Sequence, residues 1–119
     1  MGLVKVKGYT KKNWKSDVLV FLNNAGEEVK QFKKTGKEIY LMQAAEKTWR
    51  AFVSLVKAKA GKEVVSPRGR RYYAKKLGLF GVYKDAVLLH SYFYGGEVAD
   101  SSVVVGLVRD VGSKIRRAL

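Results

Sequence analysis

The apolar residues of this chain recur at helical spacing, most clearly between residues 39 and 60. In that stretch Met42, Ala45, Trp49, Phe52 and Val56 follow one another at steps of three or four residues. This spacing places them on one side of an α-helix. Leu41, Ala44, Ala51 and Leu55 widen the apolar side. A helix with so broad an apolar face needs more than one neighbour to cover it, so the pattern predicts the central helix of a bundle.

The ends of this helix carry recognisable signals. Thr35 and Glu38 have the T-x-x-E spacing of a capping box, which satisfies two backbone N–H groups of the first turn. Gly61 follows the last periodic residue and can adopt the left-handed conformation that ends a helix. Glu46 and Arg50 are four residues apart, which is typical of a pair on a solvent-exposed helix surface.

Four further stretches complete the predicted architecture. Asn13 or Ser16 can cap a first helix that runs to about Lys34 and forms an antiparallel hairpin with the second. Its apolar stripe is Val18, Leu22, Ala25, Val29 and Phe32. Ser66 and Pro67 are typical of a helix start, here of a short helix with Tyr73, Leu77 and Phe80 on its apolar side.

The two remaining stretches lie after residue 80. A helix over about residues 82–94 carries the stripe Val82, Ala86, Leu89 and Phe93 and is stopped by Gly95 and Gly96. Asp100 or Ser101 can cap a last helix with the stripe Val104, Val108, Val111 and Ile115. Gly106 and Gly112 inside it favour a bend or a close helix approach. The patterns together predict an all-α protein, an antiparallel bundle of four to five helices.

Domain organisation and location follow from the remaining composition. Residues 13–119 form the predicted single bundle domain, and residues 1–12 form a predicted basic N-terminal arm, either mobile or a short edge segment, with Lys5, Lys7, Lys11 and Lys12. The longest unbroken apolar run, Val18 to Leu22, is five residues, whereas a membrane span needs about 20. The N-terminus lacks the apolar core of a signal peptide. We therefore expect a cytoplasmic protein without a membrane span.

Net charge favours a polyanionic partner. The chain has 24 Lys and Arg residues against 10 Asp and Glu, a formal net charge of +14. Such an excess attracts nucleic acid through counterion release. The alternative is the charged surface of a thermostable protein, but those proteins usually balance lysine with glutamate, and this chain does not.

The densest cationic cluster indicates where nucleic acid would bind. It comprises Arg68, Arg70, Arg71, Lys75 and Lys76, together with Tyr72. Arginine forks bind phosphate oxygens in pairs, and a tyrosine ring stacks on an unpaired base. Arg116 and Arg117, near the end of the last helix, are further candidates. The alternative is that these cations are only solvated around the buried stripe of a short helix.

Catalytic options are few, because the chain contains no Cys and a single His, His90. Without cysteine there is no disulfide or Cys-based zinc site, and one His with scattered carboxylates is not a recognisable ligand set. No Walker-type or dinucleotide-type glycine loop is found. The sequence therefore predicts no metal site and no cofactor.

Two short patterns resemble a known family. A-A-E-K-x-W-x-A at Ala44–Ala51 and A-x-x-L-H-x-x-F-Y at Ala86–Tyr94 are similar to the PaREP family of archaeal paralogues, which is related to the HEPN group. The resemblance covers roughly residues 30–119. It implies a HEPN-like antiparallel bundle of four or five helices that is commonly dimeric. Many HEPN proteins are metal-independent ribonucleases or toxins, and others are their noncatalytic partners.

The HEPN resemblance also implies roles for two residues. HEPN ribonucleases carry R-x(4–6)-H, in which arginine binds the scissile phosphate and histidine moves the proton of the ribose 2′-hydroxyl. Here Lys84 precedes His90 by six positions, so the histidine matches and the arginine does not. Lysine lacks the bidentate fork of arginine. Six helical residues also turn Lys84 about 120° away from His90, so a shared site needs a distorted helix end or a dimer partner.

Three functions remain open on the sequence. The favoured one is a basic HEPN-like protein, predicted to be a homodimer, that binds nucleic acid, RNA in preference to DNA. The second is a metal-independent RNase with His90 as general base and Lys84 as the phosphate-binding cation. The third is a noncatalytic protein-interaction partner in a toxin–antitoxin-like pair, with Tyr92, Phe93 and Tyr94 as the exposed contact residues. For His90 a purely structural role is a further alternative.

Overall fold

The structure, a computed structural model, describes residues 2–95 and 100–119, and side chains from Asn13 onward within those ranges. These ranges contain no β-strand and five α-helices: α1 (Gly2–Thr35), α2 (Glu38–Ala60), α3 (Pro67–Lys76), α4 (Phe80–Phe93) and α5 (Ser101–Ala118). The predicted all-α helical bundle is confirmed.

The second helix, α2, is the centre of the bundle. Each of the other four helices packs against it. Phe52, Leu41, Leu55 and Val56 are fully buried along α2, and Trp49 is nearly so. They meet Val18 of α1, Leu89 of α4, and Val104, Val111 and Ile115 of α5 in one apolar core. The broad apolar face predicted for α2 is therefore confirmed.

The start of α2 differs from the capping box that was predicted at Thr35 and Glu38. Thr35 belongs to α1, where its hydroxyl donates to the Gln31 carbonyl at 2.8 Å and accepts from the Lys37 N–H at 3.2 Å. No side chain in the described residues caps the first turn of α2. The predicted capping box is therefore wrong, because the Thr35 hydroxyl is already engaged at the end of α1.

The start of α1 also differs from the prediction. The helix begins at Gly2 instead of at Asn13 or Ser16, so the backbone has no break at residue 12, where the predicted basic arm would end. Trp14 is buried one turn before Val18 and extends the apolar stripe towards the N-terminus. The preceding segment contains no Pro and is rich in lysine, which is a good helix former.

Three other helix ends are as predicted. The Ser66 hydroxyl accepts from the Gly69 N–H at 2.9 Å, with Pro67 at the first helical position. The Asp100 carboxylate accepts from the Val103 N–H at 3.2 Å and caps α5. Hydrogen bonds from the Ser102 hydroxyl and then the Val103 N–H lower the pKa of Asp100. Gly61 ends α2 with a φ of 72°.

The last helix, α5, lies against both α2 and α1. All four predicted stripe residues, Val104, Val108, Val111 and Ile115, are buried. A Cβ atom at Gly112 would lie 3.6 Å from Leu22 Cδ2, so α5 approaches α1 at this position. In the described part of the chain no helix is long and apolar enough to cross a membrane.

Candidate nucleic-acid interface and histidine groove

One face of α3 carries most of the predicted nucleic-acid-binding residues. Arg68, Arg71, Tyr72, Lys75 and Lys76 occupy positions i, i+3, i+4, i+7 and i+8, which share one side of a helix. All five side chains are exposed, and Tyr72 keeps 57% of its accessible surface. Ala74, on the opposite side, is fully buried against the core. We call these five residues the α3 face.

The positive charge of α3 is not neutralised by neighbouring acids. The helix has five cations and no carboxylate in its ten residues. Of the ion pairs formed within residues 13–95 and 100–119, none involves α3. The Lys76 ammonium instead lies 5.8 Å from the centre of the Tyr72 ring, and the Lys75 ammonium 5.1 Å from that of Phe80. The α3 face is thus a row of free cations beside an exposed aromatic ring.

Arg70 was predicted in the same cluster but points to the other side of α3. Its guanidinium carbon lies 5.4 Å from the centre of the Trp49 ring, a cation–π contact. One terminal nitrogen donates to the Val65 carbonyl at 3.3 Å. Its buried Nε–H has no hydrogen-bond partner among the described atoms. Arg70 therefore belongs to a second site, next to His90.

This second site is a groove of about 400 Å³ that brings together residues from four helices. Asp17 of α1, Glu46, Arg50 and Lys57 of α2, Arg70 of α3, and His90 of α4 line it, together with Trp49. We call it the His90 groove. Three cations and two carboxylates thus line the same groove as the only histidine of the chain, and one of these cations, Lys57, is paired with Glu63 at 3.1 Å.

His90 is held by two contacts in this groove. Its Nδ1 atom lies 3.0 Å from Glu46 Oε1, and its ring stacks on Trp49 with centroids 4.6 Å apart. Because a carboxylate only accepts hydrogen bonds, the Nδ1 proton points to Glu46 and Nε2 is left for another partner. The imidazole remains 36% exposed, so such a partner can reach it.

Glu46 was predicted to pair with Arg50 on the protein surface, but Glu46 does not lie on the surface. The residue is buried, with 7% of its surface accessible. Arg50 Nε does approach its carboxylate, at 3.5 Å, but the other carboxylate oxygen is used by His90. The reason is that α4 packs over this part of α2. Glu46, Trp49 and Arg50 are thus site residues that the sequence analysis missed.

Lys84 does not share this groove. It is exposed on the first half of α4, where its ammonium lies 5.9 Å from the centre of the Phe80 ring. Helix α4 runs through to Phe93, so no distortion of its end turns Lys84 towards His90. In the described part of the chain, the cations that line the groove with His90 are Arg50, Lys57 and Arg70.

The C-terminal candidates lie elsewhere. Arg116 donates to Asn23 Oδ1 of α1 at 3.2 Å and lines a groove between α1 and α5, and Arg117 is exposed. Helix α3 packs against α2 and α4 instead. The structure therefore does not join Arg116 to the α3 face in one surface.

The aromatic end of α4 differs from the predicted contact surface. Tyr92 is buried, and its hydroxyl donates to Glu38 Oε2 at 2.7 Å. Burial, followed by the neighbouring Glu38 carboxylate, raises the pKa of Tyr92. Phe93 is half-buried, and Tyr94 is 70% exposed with its ring edge-on to His90. Only Tyr94 is available as the exposed contact residue that was predicted.

The described residues contain no group of three or more His, Asp or Glu side chains that could hold a metal ion. Comparison with family models, curated proteins and solved structures finds no match to the chain. The resemblance to PaREP and HEPN proteins therefore stays a prediction, and the function has to be argued from the two sites themselves.

Proposed function

We propose that this protein binds nucleic acid in the cytoplasm, RNA in preference to DNA, through the α3 face. The observation that carries the proposal is the row of four uncompensated cations, Arg68, Arg71, Lys75 and Lys76, with Tyr72 exposed among them. From Arg68 to Lys76 the helix rises about 12 Å, long enough to follow several phosphates of one strand.

The chemistry of the α3 face suits a single strand. The arginines bind phosphate oxygens through paired N–H groups, the lysines act as point charges, and Tyr72 offers a ring on which an unpaired base can stack. Phosphate contacts fix position and stacking tolerates every base, so we expect weak sequence preference. The choice of RNA follows from the resemblance to HEPN proteins.

A matched pair of double variants tests the interface. In Arg68→Gln with Lys75→Gln, the α3 face loses two charges; in Lys34→Gln with Lys37→Gln, the exposed α1–α2 turn loses the same number. Fluorescence anisotropy with a labelled 20-nucleotide RNA should show clearly weaker binding for the first variant only. Equal weakening in both variants would show that binding depends only on net charge. Absence of binding by the wild type at low salt would contradict the proposal.

A second candidate function, a metal-independent ribonuclease, is favoured by one observation: Glu46 orients His90 inside a groove lined by Arg50, Lys57 and Arg70. In this reaction His90 Nε2 takes the proton of the 2′-hydroxyl, and the 2′-oxygen bonds to phosphorus. The bond to the 5′-oxygen breaks, and that oxygen receives the proton. The products are a 2′,3′-cyclic phosphate and a 5′-hydroxyl, and the groove arginines would stabilise the phosphorane charge.

Cleavage of labelled RNA in EDTA decides this candidate. Activity should be lost in His90→Ala and strongly reduced in Arg70→Ala, whereas Lys84→Ala should leave it unchanged because Lys84 lies outside the groove. Cleavage that persists in His90→Ala would show a contaminating nuclease and remove the candidate. A loss of activity in Lys84→Ala would show that a dimer partner supplies this lysine.

We further propose that the chain is a HEPN-like homodimer, as the resemblance implies. The third function, a noncatalytic partner in a toxin–antitoxin-like pair, would likewise require a protein–protein contact surface. Tyr94 and the exposed apolar residues Val87 and Leu88 of α4 support a contact on that helix. Light scattering measures the mass in solution. A strict monomer at all concentrations would contradict the homodimer.

A further inference from the structure

A second groove, between α1 and α5, plays no part in the functions proposed above. It has a volume of about 540 Å³, and Thr48 of α2 lines it together with residues of both flanking helices. Helices α1 and α5 both pack on α2 and approach each other at Leu22 and Gly112, and Arg116 reaches Asn23 across the gap. The groove therefore runs along three helices that already pack against one another.

The floor of this groove is apolar and includes several small residues. Leu22, Ala25, Val29 and Val108 contribute buried apolar surface, and Gly26 and Gly112 lie among them. A Cβ atom built on Gly26 would meet no described atom within 4 Å. Small residues allow a further helix backbone to approach closely, so the groove has the shape that an added helix needs.

All charged side chains that line the groove are cationic. Lys30, Lys33, Arg109 and Arg116 line it, and no acidic side chain among the described residues does so. Lys30 is paired with Glu27 at 3.3 Å, but both side chains are about 70% exposed, so the pair neutralises little. An occupant with apolar residues facing inward and carboxylates on both flanks would satisfy both floor and rim.

We propose that this groove binds an acidic amphipathic helix of a partner protein. A second copy of this chain is a poorer occupant than an acidic partner, because its net charge of +14 opposes association with a cationic rim. Nucleic acid fits less well, since no aromatic side chain among the described residues lines the groove for base stacking and its lining is mostly apolar.

Two glycine variants test the proposal on the full chain. Gly26→Leu fills the groove, and Gly106→Leu is its control, because both glycines lie inside helices with open space at the Cβ position and Gly106 is outside the groove. The probe is a labelled 18-residue peptide designed as a helix, with Leu and Ala on one face and Glu on both flanks. Fluorescence anisotropy gives its affinity.

We expect saturable binding of the Glu-flanked peptide, weakened about tenfold or more by Gly26→Leu and unchanged by Gly106→Leu. A peptide with Lys in place of Glu should not bind, and Lys33→Glu with Arg109→Glu should weaken the Glu-flanked peptide. RNA binding should be the same in both glycine variants, which separates this groove from the α3 face.

Three results would overturn the proposal. The first is that the peptide shows no saturable binding below millimolar concentration. The second is that wild type and Gly26→Leu bind it equally well. The third is that RNA displaces the peptide and that Gly26→Leu also loses RNA binding. The last result would reassign the groove to nucleic acid. Circular dichroism of both variants checks the fold, which Leu in place of a helical Gly is expected to stabilise.

Discussion

The contact between Glu46 and His90 makes a quantitative prediction about stability. The Glu46 side chain is 9% exposed and lies 3.0 Å from His90 Nδ1 and 3.5 Å from Arg50 Nε. In Glu46→Gln the amide oxygen can still accept from Nδ1, so the charge assistance is lost, together with the contact to Arg50, because an amide NH2 cannot accept from Arg50 Nε. We expect a cost of about 1 kcal/mol in the free energy of unfolding.

Removing the other partner should cost more. In His90→Ala the buried carboxylate keeps only Arg50, whose side chain is 60% exposed, and Trp49 loses its stacked neighbour. We expect about 2 kcal/mol, less than the 3–5 kcal/mol of a fully buried pair because solvent reaches the imidazole. At about 2.1 cal/mol/K per residue, 1 kcal/mol shifts the melting temperature by about 4 °C.

A double-mutant cycle isolates the charge-assisted part of this contact. Urea unfolding followed by circular dichroism of wild type, both single variants and the double variant should give a coupling energy of about 1 kcal/mol. Glu27→Gln, which changes a carboxylate of the exposed Glu27–Lys30 pair, should be additive with His90→Ala. A Glu46–His90 coupling below about 0.3 kcal/mol would refute a charge-assisted hydrogen bond between Glu46 and the imidazole.

Three further predictions concern the ends of helices. The raised pKa of Tyr92 means that its neutral hydroxyl stabilises the folded protein. This stabilisation is complete below about pH 10, the pKa of an unfolded tyrosine, and falls above it by up to about 1.4 kcal/mol per pH unit. The stability difference between wild type and Tyr92→Phe should therefore shrink between about pH 9 and 11, and a constant difference would be contrary to this. Gly61→Ala should lower stability by about 1 kcal/mol because φ is 72°, whereas Gly26→Ala should not; thermal melting compares them, and equal shifts would argue against strain. Ser66→Ala should lower the free energy of unfolding in urea by about 1 kcal/mol, and Ser66→Asp should keep most of the wild-type value. Equal stability of Ser66→Ala and wild type would show that the cap does not stabilise α3.

The apolar pattern predicted the all-α class and the buried face of each long helix. The stripe from Val104 to Ile115 is buried at all four positions, and the broad face of α2 is covered on several sides, as its width requires. These predictions hold because burial at helical spacing is a property of one helix and its period. The predicted cap at Thr35 was wrong because its hydroxyl can bond either to the end of α1 or to the start of α2. The sequence does not decide between these two helix ends.

The site was less predictable because it depends on contacts between helices. Glu46 lies four residues after Met42 and three before Trp49, which places it on the apolar side of α2. That position was the available signal that Glu46 is buried, but the spacing to Arg50 favoured a surface pair. Nothing in the sequence places Arg70 over Trp49, because this contact requires the packing of α3 against α2.

The salt dependence of RNA binding tests the α3 face most directly. Each phosphate neutralised on a single strand contributes about 0.7 to the slope of log K against log salt concentration. We predict that replacing Arg68 and Lys75 with Gln lowers this slope by about 1.4, whereas the control pair Lys34 and Lys37 leaves it nearly unchanged. An affinity that does not depend on salt, or a slope that the α3 substitutions do not change, would contradict binding through this helix.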